Sequence, residues 1–142
     1  MWLRVNVATK EEILAFVAAE IPQTKCVIEE VGARGATVSR DVSAADLRPG
    51  GTVSGPVLMA VADLALYVAT LGEIGIVPLA VTTSMSINFL RRPEAGKRIS
   101  ATCKLLKVGK SLSIGEVWVY SEGQNEPVAH VVGTYAIPPR SE

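Results

Sequence analysis

The apolar stretch over residues 55–71 constrains the fold of this chain more than any other feature of the sequence. Asp63 is the only charged residue within it. Its length favours a helix over a strand, because most strands run for about five or six residues. A helix that is apolar on every side has to be buried. We therefore expect the rest of the chain to wrap around this helix.

The bulk composition is typical of one soluble domain. The chain has 142 residues, of which 49% are hydrophobic and 20% are charged. Its 14 basic residues balance 14 acidic residues, so no net charge attracts nucleic acid or an anionic membrane. Residues 1–10 lack the pattern of a secretory signal, in which a positively charged segment precedes an apolar one. These features predict a single cytoplasmic domain over residues 1–142, with no nucleic-acid or membrane partner.

Local patterns along the chain predict an α+β fold. Thr9 and Glu12 have the spacing of a capping box, which predicts a first helix. Residues 26–31 and 34–42 predict a short hairpin. Four segments rich in β-branched residues follow the long helix, and we expect an antiparallel meander over residues 79–90, 98–108, 112–121 and 128–137.

Strict alternation divides the strand over residues 79–90 into two faces. The first face is expected to pack on the helix and carries Val81, Thr83, Met85, Ile87 and Phe89. The second face is polar but uncharged over most of its length and carries Thr82, Ser84, Ser86, Asn88 and Leu90. Such a face suits a surface that another subunit or a ligand covers.

Asp63 is the first candidate for chemistry. An ionised carboxylate among apolar side chains is costly unless other groups compensate it, so we expect partners around Asp63. Carboxylates in such surroundings are candidates for a general base. The alternative is an ordinary aspartate on an exposed helical stripe, or one bonded to nearby backbone.

The start of the long helix is the second candidate. Ser54 is a good N-cap residue, and a helix N-terminus presents unpaired N–H groups at the positive end of the helix dipole. These donors can polarise a carbonyl oxygen. Because Pro56 has no N–H, Gly55 and Val57 are the available donors. The alternative is an ordinary helix start.

Other chemistries have little support in the sequence. The only histidine, His130, lies in the last predicted strand without a neighbouring cysteine, so no catalytic triad is apparent. Cys26 and Cys103 lie in apolar runs and are expected to be buried, reduced thiols. One histidine and two scattered cysteines do not make a metal-ligand set, and nucleotide-binding motifs are absent. We expect no metal and no cofactor.

Basic residues near two strand ends are candidates for binding a phosphorylated carrier. Arg91 and Arg92 follow one strand, and Lys107, Gly109 and Lys110 lie at the next turn. Together they could form a small basic patch. The alternative is that these charges are only solvated.

Three stretches resemble the PaaI-like hotdog-fold acyl-CoA thioesterases. The first is Gly-Thr-Val-Ser-Gly-Pro-Val-Leu-Met-Ala-Val-Ala-Asp over residues 51–63. The second is Val-Thr-Thr-Ser-Met-Ser-Ile-Asn-Phe-Leu-Arg-Arg-Pro over residues 81–93, and Gly133-Thr-Tyr comes later. The resemblance runs from about Asp41 to the end. It implies a hotdog fold, in which an antiparallel sheet wraps around a long central helix, and a homodimer, often paired into a tetramer, with active sites between protomers.

The resemblance also implies a reaction, the hydrolysis of an acyl-CoA thioester. It assigns Asp63 of the facing subunit as general base or nucleophile, the Gly55 N–H as oxyanion donor, and Thr82 as the residue that orients water. The implied substrate contacts are Ser54, Pro56, Val57, Arg91, Arg92, Gly109 and Lys110, with loop 47–53 near the acyl group. The family's helix start usually reads His-Gly-Gly, and Ser54 and Pro56 depart from it. An upstream Asn or Gln of the family has no clear match, the nearest position being Arg48.

Three other functions stay open on the sequence alone. A non-catalytic acyl-CoA-binding protein on the same fold is compatible with the altered helix start. A hotdog enoyl-CoA hydratase normally has a histidine a few residues after the aspartate, and positions 64–72 contain none. A plain interaction module is the third.

Overall fold

The computed structural model describes residues 7–139. In chain order, the helices and strands of this part are α1 (Lys10–Glu20), β1 (Val27–Gly32), β2 (Gly35–Arg40), α2 (Gly55–Ile74), β3 (Val81–Phe89), β4 (Ile99–Val108), β5 (Leu112–Ser121) and β6 (Ala129–Ala136). A short 3-10 turn, Ala44–Asp46, precedes α2. The predicted capping box is present at the start of α1, where the Thr9 hydroxyl accepts from the Glu12 N–H and the Glu12 carboxylate accepts from the Thr9 N–H.

Helix α2 lies at the centre of the fold. It begins after the N-cap residue Ser54 and ends before Gly75, whose positive φ of 91° suits a glycine. Within the part of the chain that the structure describes, it is the one helix long and apolar enough to span a membrane, but 67% of its most apolar window is buried inside the protein. Its apolar sequence is therefore that of a core helix.

The six strands form one antiparallel sheet in the order β1-β2-β4-β5-β6-β3. The sheet covers α2, which confirms the predicted α+β class and the hotdog fold. The predicted meander is correct for β4, β5 and β6 only. Short connections join these three strands, whereas the longer connection over residues 90–98 carries the chain past two strands. As a result β3 pairs with β6 at the far edge of the sheet rather than with β4.

Strand β3 leaves one edge of the sheet open. Among the described residues it pairs only with β6, and most of its nine residues are exposed. It contains no charged residue and no proline. An edge of this kind can accept a further strand.

A β-bulge interrupts β3 near its start. Thr82 pairs with Tyr135 and Ser84 pairs with Thr134, so the strand register skips Thr83, whose hydroxyl donates to the Thr134 carbonyl oxygen at 3.3 Å. The extra residue shifts the alternation of side chains. Thr82 consequently faces helix α2, as Met85 does. Strict alternation placed Thr82 on the opposite face and Val81 on the helix-facing side, and the prediction is wrong for both, since Val81 pairs with Ala136 and is more than half exposed.

Candidate active site

The side chain of Asp63 accepts two hydrogen bonds from hydroxyl groups of the sheet. The Thr82 Oγ1–H donates to Asp63 Oδ1 at 2.7 Å, and the Tyr135 hydroxyl donates to the same oxygen at 2.8 Å. Asp63 itself is half-buried in the middle of α2. We expected compensating partners around this carboxylate, and they are Thr82 and Tyr135. The bulge turns Thr82 toward Asp63, and Tyr135 reaches it from β6.

Tyr135 is the residue of this cluster that sequence reasoning missed. It is buried, and its ring stacks on Tyr67 with 5.6 Å between centroids and 28° between planes. Burial, with the Asp63 carboxylate close by, raises the pKa of Tyr135, so its hydroxyl stays protonated and can donate. The signal in the sequence was alternation: Tyr135 shares the helix-facing side of β6 with Gly133.

Two cavities meet at Asp63. One has a volume of about 440 Å³ and mostly apolar and aromatic walls, which include Ile21, Leu64 and Tyr67. The other, of about 390 Å³, lies between α2 and β3, and its walls include Met59 and Met85. Asp63 and Thr82 line both cavities. An acidic group thus sits where an apolar ligand could reach it, an arrangement typical of small-molecule sites.

The start of α2 offers one free backbone donor rather than two. The Val57 N–H donates to the Ser54 carbonyl oxygen at 3.1 Å, so it is already in use. The Gly55 N–H has no acceptor among residues 7–139. The Ser54 side chain makes no capping hydrogen bond, although Ser54 occupies the predicted N-cap position. Of the predicted donors, only Gly55 is available to a ligand.

A third cavity, of about 380 Å³, lies at this helix start. It is lined by Gly55, Phe89 and the three arginines Arg48, Arg91 and Arg92. Arg91 is partly engaged, since it donates to the Pro127 carbonyl oxygen and pairs with Glu126 at 2.9 Å. The side chains of Arg48 and Arg92 have no hydrogen bond or ion pair within the described ranges. The cavity is therefore a cationic opening beside the free N–H group.

The predicted basic patch does not form within one protomer. Ala136 pairs with both Val81 and Leu112, which puts the turn at Gly109 and Lys110 near the Val81 end of β3. Arg91 and Arg92 follow the other end, Phe89. Eight residues of strand separate the two ends, or ~26 Å at the usual rise. The two halves of the predicted patch thus lie at opposite ends of the sheet.

Gly55 and Asp63 of one protomer are also too far apart to act on one small group. They are eight residues apart on the same helix, which corresponds to ~12 Å. An oxyanion donor has to lie about 3 Å from the oxygen that it stabilises. A single thioester cannot contact the free Gly55 N–H and the Asp63 carboxylate of the same chain.

The remaining chemistry-bearing residues have structural surroundings. His130 contacts Glu116 through a 2.8 Å hydrogen bond and lies beside Trp118, as an ordinary strand histidine does. Cys26 and Cys103 are free thiols. Burial raises the pKa of Cys103 to about 12, which makes it a poor nucleophile. Among residues 7–139, no group of three or more His, Cys, Asp or Glu side chains is placed to hold a metal ion.

The chain is similar to known thioesterases. Residues 50–128 match the family model of the thioesterase superfamily, which is more than half of the chain. No curated protein matches it in sequence. A crystal structure of a protein from Silicibacter sp. TM1040, proposed to be a thioesterase, is 38% identical over 96% of each chain, with a TM-score of 0.86.

Two further solved structures share the fold. A mutant form of the phenylacetic acid degradation protein PaaI from Thermus thermophilus is 27% identical, covers 87% of this chain and 99% of its own, and has a TM-score of 0.71. A thioesterase from Haemophilus influenzae, 16% identical over 99% of this chain and 98% of its own with a TM-score of 0.82, is similar in fold alone. By its sequence match and its hotdog architecture, the chain belongs to the thioesterase superfamily.

Proposed function

We propose that this protein hydrolyses an acyl-CoA thioester to the free acid and CoA, with Asp63 as the catalytic carboxylate. One observation carries the proposal: Asp63 is held by two hydroxyl groups at the point where two apolar cavities meet. In a member of the thioesterase superfamily, a carboxylate in such a place is suited to activate water or to attack the thioester directly.

In the first form of the reaction, Asp63 takes a proton from water while the water oxygen bonds to the thioester carbonyl carbon. The negative charge that develops on the carbonyl oxygen is stabilised by the Gly55 N–H and the helix dipole. The carbon–sulfur bond then breaks, and the sulfur leaves as the CoA thiol with the proton that Asp63 held. The Thr82 hydroxyl donates its one proton to Asp63, so in this proposal it orients the water by accepting a hydrogen bond from it.

The ~12 Å between Gly55 and Asp63 requires that the two come from different protomers. Two protomers can pair through the open edge of β3, because its nine uncharged residues can form a continuous sheet with β3 of a second copy. We therefore propose a homodimer, with a dimer of dimers as the larger assembly. Light scattering coupled to gel filtration measures the mass.

Antiparallel pairing of two β3 strands would also bring the two halves of the predicted basic patch to the same side of the dimer. It places the Phe89 end of one strand beside the Val81 end of the other. Arg91 and Arg92 of one protomer would then lie on the same side as the partner subunit's Lys110. We propose that these residues, with Arg48, bind the CoA phosphates.

We propose the cavity beside Tyr67 for the acyl group. Its walls are mostly apolar, and it opens directly at Asp63. Loop 47–53, which the resemblance implies for this role, instead borders the cationic opening through Arg48 and Thr52. We also place the protein in the cytoplasm, where the two free thiols would stay reduced.

A second candidate function is a non-catalytic acyl-CoA-binding protein. Ser54 and Pro56 depart from the helix start that the family usually has, and Pro56 removes one backbone donor. Such a protein would bind acyl-CoA through the same cavities and arginines but would not hydrolyse the thioester.

The test is thiol release from a panel of aromatic and aliphatic acyl-CoAs by the wild type and by Asp63→Asn. Asp41→Asn is a matched control, because it makes the same change at an exposed carboxylate that pairs with Arg98. Hydrolysis that only Asp63→Asn abolishes supports the proposal. CoA-ester binding without turnover by the wild type would establish the binding protein instead.

A further inference from the structure

The two hydroxyl groups at Asp63 converge on one of its two oxygens. Both Thr82 and Tyr135 donate to Oδ1, at 2.7 and 2.8 Å. Oδ2 accepts no hydrogen bond from any residue between 7 and 139. The two carboxylate oxygens, which are chemically equivalent in free aspartate, are therefore distinct in this protein.

We propose that Tyr135 is a positioning residue that, together with Thr82, anchors Oδ1 of Asp63 and leaves Oδ2 to react. This inference rests on the proposed thioester hydrolysis and names the atom that performs it. An oxygen whose lone pairs already accept two hydrogen bonds is a poor acceptor for a further proton. Oδ2 is the oxygen that takes the proton from water. In direct attack, Oδ2 bonds to the carbonyl carbon while the carbon–sulfur bond breaks and the CoA thiolate leaves. Water then cleaves the resulting anhydride, which frees the acid and Asp63 and supplies the proton that the thiolate takes up.

The torsion that orients an aspartate carboxylate is broad, so an unheld carboxylate samples many orientations. Reaction requires the attacking atoms within about 3–3.5 Å and in line. Two donors on one oxygen, one from β3 and one from β6, fix the plane of the carboxylate. The Tyr135 ring also lines the cavity that we propose for the acyl group, whereas its hydroxyl acts through Asp63.

The Tyr135 hydroxyl is itself held rigidly. Tyr135 is 4% exposed, and its ring stacks on Tyr67, whose hydroxyl donates to the Pro78 carbonyl oxygen at 3.2 Å. The same proton is within 3.3 Å reach of the Asp63 carbonyl oxygen, a weaker second acceptor on the residue that carries the carboxylate. Phenylalanine at this position would keep the ring contact and lose only the hydroxyl.

The experiment compares kcat and KM for the wild type, Tyr135→Phe, Thr82→Val and the double variant on the best thioester of the panel. Thr70→Val is the matched control. Thr70 lies on the same helix as Asp63, and the substitution removes a buried hydroxyl that forms a 2.9 Å hydrogen bond with Ser113 on β5. We expect kcat of Tyr135→Phe to fall about 10- to 100-fold with KM within about twofold, as for a lost hydrogen bond to a charged group. The losses in Tyr135→Phe and Thr82→Val should not multiply in the double variant, since both act on one oxygen.

A second readout does not depend on turnover. The carboxyl carbon signal of Asp63 in NMR spectra, assigned by its loss in Asp63→Asn, should move in Tyr135→Phe and Thr82→Val and stay in place in Thr70→Val. An unchanged signal in Tyr135→Phe would overturn the anchoring of Oδ1.

The outcomes separate the two proposals. An active wild type with an equally active Tyr135→Phe overturns the role of Tyr135 and leaves the thioesterase proposal standing. A kcat loss in Thr70→Val as large as in Tyr135→Phe also overturns it, because the effect would then be structural. A wild type that hydrolyses no thioester overturns the proposed function, and the role of Tyr135 in it.

Discussion

The side chain of Leu66 rests on the backbone of Gly133. A Cβ at Gly133 would lie 2.6 Å from Leu66 Cδ2, and one at Gly115 on the neighbouring strand would lie 2.8 Å from Leu66 Cδ1. Leu66 is fully buried. The sheet approaches α2 this closely because glycine has no side chain at either point, and this contact sets the depth at which Asp63, one turn earlier, meets β6.

We predict that Gly133→Ala lowers the free energy of unfolding by about 1–3 kcal/mol, as overpacking of a dense core does. In the background of Gly133→Ala, Leu66→Ala should cost less than the roughly 2–5 kcal/mol expected for such a truncation in the wild type. Urea unfolding measures both. Gly32→Ala is the control, because a Cβ there meets nothing within 4 Å. Additive effects at positions 66 and 133 would contradict the contact.

Gly55→Ala should lower kcat/KM for thioester hydrolysis about 10-fold or more, because a methyl group would stand beside the one free N–H of the helix start. The added Cβ would lie 3.1 Å from the Phe89 ring, which is more than half exposed and can shift. Adding Phe89→Leu should relieve any loss of melting temperature without restoring kcat/KM. Recovery of kcat/KM in the double variant would show that crowding by Phe89, and not the loss of access to the N–H, was the cause.

Two inactive variants should complement each other if Gly55 and Asp63 act across protomers. A heterodimer of Gly55→Val and Asp63→Asn, isolated with two different affinity tags, contains one intact pair and one doubly altered pair. We expect about half of the wild-type activity per dimer. No activity in the isolated heterodimer would mean that each site draws both residues from one chain.

The ion pair between Arg40 and Asp46 should make stability depend on pH at the acid end. Its N–O distance is 2.6 Å, and both side chains are about 10% exposed. The Ser43 N–H, and then Arg40, lower the pKa of Asp46. A carboxyl whose pKa is lower in the folded than in the unfolded state stabilises the fold above its unfolded pKa of about 4, and that stabilisation is lost as the pH falls through the folded pKa.

Asp46→Asn should therefore be less stable than the wild type at pH 7, by about 1–3 kcal/mol, and should lose less stability between about pH 5 and pH 2. Urea unfolding at several pH values tests this. Glu94→Gln, at an exposed position on the connection to β4, is the control and should follow the wild type. If the free energy of unfolding of Asp46→Asn and of the wild type changed equally with pH, Asp46 would not be the source of the acid-end pH dependence.

The sequence was sufficient for the parts of the fold that depend on local pattern. The apolar run around Asp63 predicted a buried helix, and its helix start and length agree with α2 to within a few residues. The position of β3 could not be read in this way, because hairpin and crossover connections both fit the composition of residues 90–98. Which strand becomes the edge is decided by packing over α2 and not by the residues of β3.

The candidate site, too, could be predicted from the sequence only in part. Asp63 was identifiable because a lone charge in an apolar helix needs an explanation. Thr82 was named from family resemblance, but alternation pointed it away from the helix, since nothing in Val81-Thr82-Thr83-Ser84 marks a bulge. Tyr135 is 72 residues from Asp63 in sequence, so only the register of β6 against β3 brings it to the carboxylate.

The open edge of β3 has a consequence for the life of the protein in a cell. A newly made chain carries nine consecutive strand residues without a charge, proline or glycine to discourage pairing with the wrong neighbour. If a second copy covers this edge, as we propose, the concentration of the protein sets how long each chain stays unpaired. Strong overproduction in a foreign host then brings a risk of aggregation that a charged edge would not.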